Sequence, residues 1–355
     1  MINLIFENVL LVNPTEKEFV CDIEIENGTI INIKKKDASW KYILFPGFVD
    51  THTHGYMGID CMSASSKDFE NWASLLEKEG VTYLFPTTLS ASKISIEKVL
   101  EEFNKAKHPS LSGIHLEGPF VNKEKAGAQN KEFITSFSQE KLPKNLDNVK
   151  IITAAPEIEG FEKLYSISSS KKIKISIGHS DAKFSDYSFW YRKGINRITH
   201  LPNALRPLHH REVGAVGAAV LLGFYVELIV DGIHLSPEFV KFVYKTIGPS
   251  RIILITDSIS ATGLGDGKYD LYGLEVYVKN NVARLSNGNL AGSTLTFSNA
   301  VKNFAKITGC SLHELSLVTS YNALKNLGNE IKIQPGERTK FVLVDQDLNI
   351  IKTII

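Results

Sequence analysis

The stretch FPGFVDTHTHGYMG, residues 45–58, places two histidines one residue apart directly after a short apolar run. On a β-strand alternate side chains point to the same face, so His52 and His54 are predicted to project together. Two imidazoles on one face at a strand end suit a metal ion better than they fill a core. A solvated strand end is the alternative, and the H-x-H pattern by itself does not decide between them.

After this stretch, strand-like and helical patterns alternate along the chain. The pattern DFENWASLLEKEG, residues 68–80, has apolar residues three and four positions apart and predicts a helix that ends at Gly80. Strand-like runs such as VTYLFPTT, SGIHLEGPF and RIILITDSIS alternate with helical segments. This alternation predicts a (β/α)8 TIM-like barrel over residues 45–334. The segment LYGLEVYVKNNVARLSNG, residues 271–288, is predicted to be a hairpin inserted after Asp257.

The two ends of the chain differ from the middle. Residues 1–44 contain short β-rich runs with a hairpin-type turn at Asn27-Gly28. Residues 335–355 likewise contain strand-like runs around a polar turn. Chain termini often lie close together in space. We therefore expect a small β-sandwich domain assembled from residues 1–44 and 335–355, beside the barrel.

Composition narrows the class of protein. The chain has 355 residues, 43% apolar and 22% charged, with a formal net charge of +1, as in an ordinary globular enzyme. So balanced a charge gives no reason to expect nucleic acid or a membrane as a partner. Three scattered cysteines indicate reduced thiols, and the first residues resemble no secretory leader, so we expect a cytoplasmic protein.

Polar residues follow several of the predicted strands directly. In a barrel such strand ends meet at the catalytic face. Neutral imidazoles and carboxylates suit a divalent zinc or iron ion, and together they are far more specific than any single member. The residues that this rule selects are His52, His54, Glu117, His179, His200 and Asp257.

Other residues of the same chemical types are given structural explanations. His115 lies two residues before Glu117 and is predicted to pack near the site instead of binding a metal. Cys61 is predicted to be a small buried residue. The remaining histidines, in predicted loops or helices, are interpreted as surface residues: His108, His209, His210 and His313.

Eight sequence blocks in order resemble the amidohydrolase superfamily and, within it, the N-acetylglucosamine-6-phosphate deacetylase branch. They are PGFVDTHTHG, HLEGPF, GHSDA, THLPNALRPL, REVGAVGAAV, DGIHLSPE, ITDSISATG and LAGSTLTF. The resemblance covers most of the chain. It implies a metal-dependent barrel with a small β-sandwich from both termini, which agrees with the pattern of strands and helices.

The resemblance also implies roles for individual residues. Glu117, His179 and His200 would bind the principal metal, His52 and His54 a second ion that some members have lost, and Asp257 would act as general base and acid. One or two zinc or iron ions per subunit and a homodimer are implied. The implied substrate-binding residues are Gln129, Asn203, Ala204, Arg211 and His234.

Two of these assignments leave questions open. Some relatives carry histidine where this chain has Gln129, which leaves open how the substrate carbonyl is polarised. Arg211 and His234 match phosphate contacts that can reach into the neighbouring subunit's site.

The implied reaction is hydrolysis of the acetamide of a phosphorylated amino sugar by metal-activated water. Another amidohydrolase that opens a cyclic or linear amide is the nearest alternative. It would commonly use a carboxylated lysine where this chain has Glu117, and it would not need Arg211 and His234 for a phosphate. A metal-free scaffold is a more distant alternative, because such proteins tend to lose the ligands.

Overall fold

The computed structural model describes residues 3–355, and its strands and helices alternate through the middle of the chain. The strands, in chain order, are β1 (Asn3–Leu11), β2 (Phe19–Glu26), β3 (Thr29–Lys35), β4 (Ile43–Pro46), β5 (Phe48–Thr53), β6 (Gly55–Tyr56), β7 (Ile59–Asp60), β8 (Val81–Thr88), β9 (Ile114–Glu117), β10 (Val149–Ala154), β11 (Lys174–Ile177), β12 (Arg197–Ile198), β13 (Tyr225–Ile229), β14 (Ile252–Ile255), β15 (Gly267–Leu271), β16 (Leu274–Lys279), β17 (Val282–Leu285), β18 (Phe341–Val344) and β19 (Ile350–Ile354). The α-helices are α1 (Ser66–Glu77), α2 (Lys93–Lys105), α3 (Phe161–Ser170), α4 (Phe184–Arg192), α5 (Gly214–Leu222), α6 (Pro237–Ile247), α7 (Phe297–Thr308), α8 (Leu312–Ser316) and α9 (Asn322–Asn326).

Eight parallel strands form a nearly closed barrel, in agreement with the predicted TIM-like fold. Their order is β5, β8, β9, β10, β11, β12, β13 and β14. The two edge strands meet just beyond β14, where the backbone N–H of Asp257 donates to the His52 carbonyl over 2.8 Å. This contact brings the ends of β5 and β14 together at the C-terminal end of the barrel.

Burial explains why these strands are so apolar. All four residues of β14, IILI, are buried, as expected for a barrel strand covered by side chains on one face and by helices on the other. The predicted helix in residues 68–80 is α1. It begins at Ser66 because Ser65 caps it and accepts a hydrogen bond from the Asp68 N–H, and it ends at Glu77, before the Gly80 turn.

Both termini contribute to one small sheet, in the order β19, β18, β4, β1, β2, β3. Neighbouring strands are antiparallel except β1 and β4, which are parallel. The backbone of Ile30 also bonds to Gly336 and Glu337 near the other end of the chain. The predicted boundary after residue 44 falls within β4, whose last residue is Pro46, and the division into domains stays a prediction.

Two connections depart from the simple alternation of strand and helix. Between β9 and β10, residues 118–148 form a long loop whose only helical segment is a 3₁₀ turn, Lys123–Lys125. After β14, the predicted hairpin is present and gains a strand, so that β15, β16 and β17 form an antiparallel sheet. No helix within residues 3–355 is both long and apolar enough to cross a membrane.

Candidate metal centre and substrate cavity

The residues selected from the strand ends come together at the C-terminal end of the barrel. Three of them lie two residues beyond their strands and have left-handed backbone angles: φ is 48° at His179, 29° at His200 and 51° at Asp257. A positive φ is costly for a residue other than glycine and is concentrated at functional sites. The buried members of the cluster are His52, His54, Glu117, His179, His200 and Asp257.

Glu117 lies at the centre of the cluster. Its Oε1 is 3.3 Å from His52 Nε2, 3.1 Å from His179 Nε2 and 3.0 Å from His200 Nε2. Its Oε2 is 3.3 Å from His54 Nε2. One carboxylate therefore contacts all four imidazoles, and it does so through the same ring nitrogen of each.

Asp257 lies on one side of this arrangement. Its Oδ1 is 3.1 Å from His54 Nε2 and 3.6 Å from His52 Nε2. Its backbone is fixed twice, because its N–H donates to the His52 carbonyl and its own carbonyl accepts from Ser293 N–H over 2.7 Å. The carboxylate is thus held beside the H-x-H pair and faces the cavity.

The other ring nitrogen of each histidine, Nδ1, faces a hydrogen-bond acceptor. This arrangement favours the tautomer that carries its proton on Nδ1 and leaves a lone pair on Nε2. The acceptors are Glu227 Oε2 for His52 at 3.0 Å, the Thr87 carbonyl for His54 at 3.0 Å, the Lys125 carbonyl for His179 at 2.7 Å, and the Asn203 carbonyl for His200 at 3.1 Å.

This donor set fits a metal ion. The Nε2 atoms of His179 and His200 lie 3.2 Å apart, and His52 Nε2 is buried with no hydrogen-bond partner among the described residues. Lone pairs that converge in this way need a cation between them. Two groups have ligand atoms within 4.8 Å of one another: His52, Glu117 and His200, and His52, His54 and Asp257. Imidazole and carboxylate together suit a divalent transition metal.

The pKa shifts in the cluster show that its carboxylates favour a positive charge on the groups between them. Burial opposes a charge on His54, but Asp257 and Glu117 outweigh it and raise the pKa of His54 to about 9. Burial would raise the pKa of Glu117, but His52 and His179 hold it well below its usual range. A divalent ion supplies the same positive charge, and its binding would release protons from the imidazoles.

A cavity of about 370 Å³ reaches this cluster, which is enough room for a small sugar derivative. The inserted sheet and its following loop supply part of the wall through Leu271, Asn289 and Leu290. Four of the predicted substrate-binding residues line the cavity: Gln129, Asn203, Ala204 and His234.

Gln129 is held by two hydrogen bonds beside the cluster. Its Oε1 accepts from Ser90 N–H over 2.6 Å, and its Nε2 donates to Glu117 Oε2 over 2.5 Å. The amide group has a second N–H on the same nitrogen. Gln129 therefore both fixes Glu117 and has one donor left for a ligand.

The two predicted phosphate contacts differ in position. His234 lines the cavity of its own chain, with its Nδ1 2.7 Å from Asp231 Oδ2. Arg211 lies on the exposed surface, is not part of the cavity wall, and donates to the ring of His210 over 2.9 Å. A role for Arg211 in the site stays a prediction and would require a second copy of the chain.

Sequence reasoning missed Glu227 and Arg197, a fully buried ion pair next to His52. A signal was present for Glu227, because this charge stands within the apolar strand YVELI of β13. A charge at such a position is rarely tolerated without a partner. His115, predicted to pack, is indeed buried, and its nitrogens bind the Thr51 carbonyl and the Thr153 hydroxyl.

Known proteins resemble this chain over nearly its whole length. The amidohydrolase family model matches residues 43–355. An N-acetylglucosamine-6-phosphate deacetylase of Lysinibacillus sphaericus is 36% identical and one of Bacillus subtilis is 35% identical. Each alignment covers 99% of this chain and 96% of the relative.

Solved structures give the same relationship. The crystal structure of a Thermotoga maritima N-acetylglucosamine-6-phosphate deacetylase has a TM-score of 0.90 and 44% identity, and it covers 99% of this chain and 98% of the other. Amidohydrolases are metal-dependent enzymes, which agrees with the two groups of metal-ligating side chains at the end of the barrel. The chain belongs to the amidohydrolase family.

Proposed function

We propose that this chain hydrolyses the acetamide of N-acetylglucosamine 6-phosphate and releases glucosamine 6-phosphate and acetate. The observation that carries the proposal is the convergence of four imidazole Nε2 atoms on Glu117, next to Asp257, in a cavity of about 370 Å³. The deacetylases that align with 99% of the chain support this choice of substrate.

The metal centre would be held by side chains that the barrel already places together. Glu117, His179 and His200 would hold the principal divalent ion, zinc or iron, and His52 and His54 would hold a second. The chemistry that such an ion supplies is Lewis acidity, which lowers the pKa of water to about 7 and polarises a carbonyl.

Asp257 is the proposed general base and acid. Burial would raise the pKa of its carboxyl group, but His52 and His54 outweigh burial and lower that pKa, so the group is an ionised acceptor near neutral pH. The carboxylate takes a proton from the attacking water as the new C–O bond forms. When the C–N bond breaks, the departing nitrogen takes that proton from Asp257 and leaves as the amine.

Gln129 is the proposed contact for the substrate amide. Its Nε2 already donates one hydrogen to Glu117, and the second N–H is the donor that would meet the acetyl group. Some relatives have histidine at this position according to the family resemblance. An amide donor is neutral, so in this chain Gln129 would orient the carbonyl, and polarisation would come from the metal centre.

The phosphate is assigned to the part of the cavity wall that Asn203, Ala204 and His234 form. Asp231 and its hydrogen bond outweigh burial and raise the pKa of His234, so a positive imidazole is available for a phosphate dianion. In a homodimer, Arg211 of a second copy would add a forked donor for the same group. A cytoplasmic location, expected from the sequence, completes the proposal.

Acetate release from a set of N-acetyl sugars tests this function. The set is N-acetylglucosamine 6-phosphate, N-acetylgalactosamine 6-phosphate and unphosphorylated N-acetylglucosamine. We expect the highest kcat/KM with N-acetylglucosamine 6-phosphate and only slow release from the sugar without phosphate. Equal rates with and without phosphate, or no release from any member by the zinc- or iron-loaded protein, would contradict the proposal.

A further inference from the structure

We infer that Glu227, fixed in place by Arg197, is a positioning residue for His52 and that the second metal position depends on this pair. The inference rests on the metal centre of the proposed function and extends it beyond the ligands. Neither Glu227 nor Arg197 lines the cavity, so their effect on the site would pass through His52.

The first observation is that Glu227 is anchored at both carboxylate oxygens. Its Oε2 is 3.0 Å from His52 Nδ1 and 3.3 Å from the backbone nitrogen of His200. Its Oε1 accepts from Arg197 Nε over 2.9 Å and lies 2.7 Å from Arg197 Nη2. Because Arg197 holds one oxygen while His52 and His200 contact the other, the carboxylate has little freedom to rotate.

Arg197 is in turn fixed by groups from distant parts of the chain. Its Nη2 donates to the hydroxyl of Thr51, next to His52 in β5, and its Nη1 donates to Asn326 Oδ1 over 3.3 Å. The side chains of Arg197, Glu227 and His52 all have no exposed surface. The guanidinium group therefore ties the orientation of Glu227 to the strand that carries the H-x-H pair.

The second observation is that His52 differs from the other three histidines. Their Nδ1 atoms face backbone carbonyls, whereas His52 Nδ1 faces a carboxylate. A carboxylate acceptor orients an imidazole and makes it a stronger metal ligand. The Nε2 of His52 then points, without a hydrogen bond, at Glu117 Oε1 at 3.3 Å and Asp257 Oδ1 at 3.6 Å.

A purely stabilising ion pair would explain the geometry less well. Buried ion pairs are often replaceable by apolar residues of similar volume without loss of stability, so their presence is weak evidence for a stabilising role. A pair whose carboxylate faces the ring nitrogen of His52 can instead act on metal binding through that ring. The two explanations differ in what happens to metal binding when the pair is removed.

Zinc titration with a competing chelator separates these explanations. The variants are Glu227→Gln, which keeps the shape but removes the charge, and Glu227→Leu/Arg197→Met, which removes both charges together. The control is Ile253→Val, a buried change at the residue that pairs with Glu227 in the neighbouring strand β14. We expect both Glu227 variants to bind the second zinc ion about 10–100-fold more weakly, with the first ion unchanged. Unchanged binding of the second ion, or a loss equal to that of the control, would overturn the inference.

A measurement on the wild-type protein covers the case in which the variants do not fold. With ¹⁵N-labelled histidine, NMR of the zinc-loaded chain should show the His52 proton on Nδ1 and the metal on Nε2. A metal-bound Nδ1, or a wild type that takes up only one ion, would overturn the inference and leave the principal site intact. A wild type that takes up no ion at all would instead contradict the metal centre of the proposed function.

Discussion

The imidazoles of the cluster are held in two different ways. His179 and His200 rest against the carbonyls of Lys125 and Asn203 in loops that follow barrel strands. His52, at the end of β5, rests against the side chain of Glu227, which Arg197 holds in turn. A backbone carbonyl remains when the side chain of its residue is substituted. A side-chain acceptor such as the Glu227 carboxylate is lost when that single residue is replaced.

The difference suggests that the two metal positions are not equally robust. The proposed principal position, at His179 and His200, would depend on loop conformation, including the positive φ angles of both residues. At the proposed second position, the ring of His52 rests on an ion pair inside the barrel, while the ring of His54 rests on the backbone carbonyl of Thr87. We expect substitutions of single side chains to remove the second ion more easily than the first.

The largest effect is expected from Asp257→Asn, which separates chemistry from metal binding. Asparagine has nearly the same shape but cannot accept a proton, so kcat should fall by about 10²–10⁴-fold while most of the metal remains. Steady-state acetate release and elemental analysis measure the two quantities. Asp22→Asn in the terminal sheet, the same chemical change far from the site, should leave kcat unchanged. Retention of more than roughly a tenth of the turnover would mean that another residue is the base.

The next effect concerns the number of ions and tests the comparison itself. The double variant His52→Ala/His54→Ala removes both imidazoles of the H-x-H pair, so we expect the metal content to fall from two ions to one, with the ion at Glu117, His179 and His200 retained. Elemental analysis of the purified protein measures this. An unchanged metal content would show that the H-x-H pair is structural.

Arg211→Ala tests a residue that belongs to neither of the two proposed metal positions. A charge-assisted hydrogen bond contributes about 1.5–3 kcal/mol, so kcat/KM for N-acetylglucosamine 6-phosphate should fall roughly ten- to hundredfold. The slow reaction with unphosphorylated N-acetylglucosamine should hardly change. Arg192→Ala, at another arginine on the exposed surface, is the control. Equal losses with both sugars would assign Arg211 to the fold or the chemistry instead of to phosphate.

The smallest effect is expected from Lys125→Ala. His179 contacts the backbone carbonyl of Lys125, which alanine keeps, while the lost Nζ bonds only to Asp181 among the contacts described. Zinc affinity at the principal position should therefore stay as in the wild type, in contrast to the Glu227 variants. Chelator competition measures both. A large loss of affinity would mean that backbone support does not protect this position.

Much of the fold was predictable because strands and their polar ends are local features of the sequence. The alternation predicted the barrel, and the rule for strand ends selected Glu117 together with the four histidines and the aspartate that gather beside it. The inserted hairpin was also predicted, and only its additional strand β15 was missed. Each of these features depends on residues close together in the chain.

The contacts that support the cluster were not predictable in the same way. Glu227 lies 175 positions from His52, and Arg197 lies 129 positions from Asn326, so only the closed barrel brings them together. The loop at residues 118–148 takes the place of a helix and carries Gln129 to Glu117, and no periodic pattern indicates such a contact. The exposed position of Arg211 likewise depends on how the whole loop folds.

The most direct test of the central claim is acetate release from N-acetylglucosamine 6-phosphate before and after metal removal, followed on one sample. The protein is stripped with a chelator, shown by elemental analysis to be free of metal, and then reloaded with zinc or iron. We predict that turnover is lost on stripping and returns as the ion at Glu117, His179 and His200 is restored. Full activity in protein shown to lack metal would contradict a metal-dependent deacetylase.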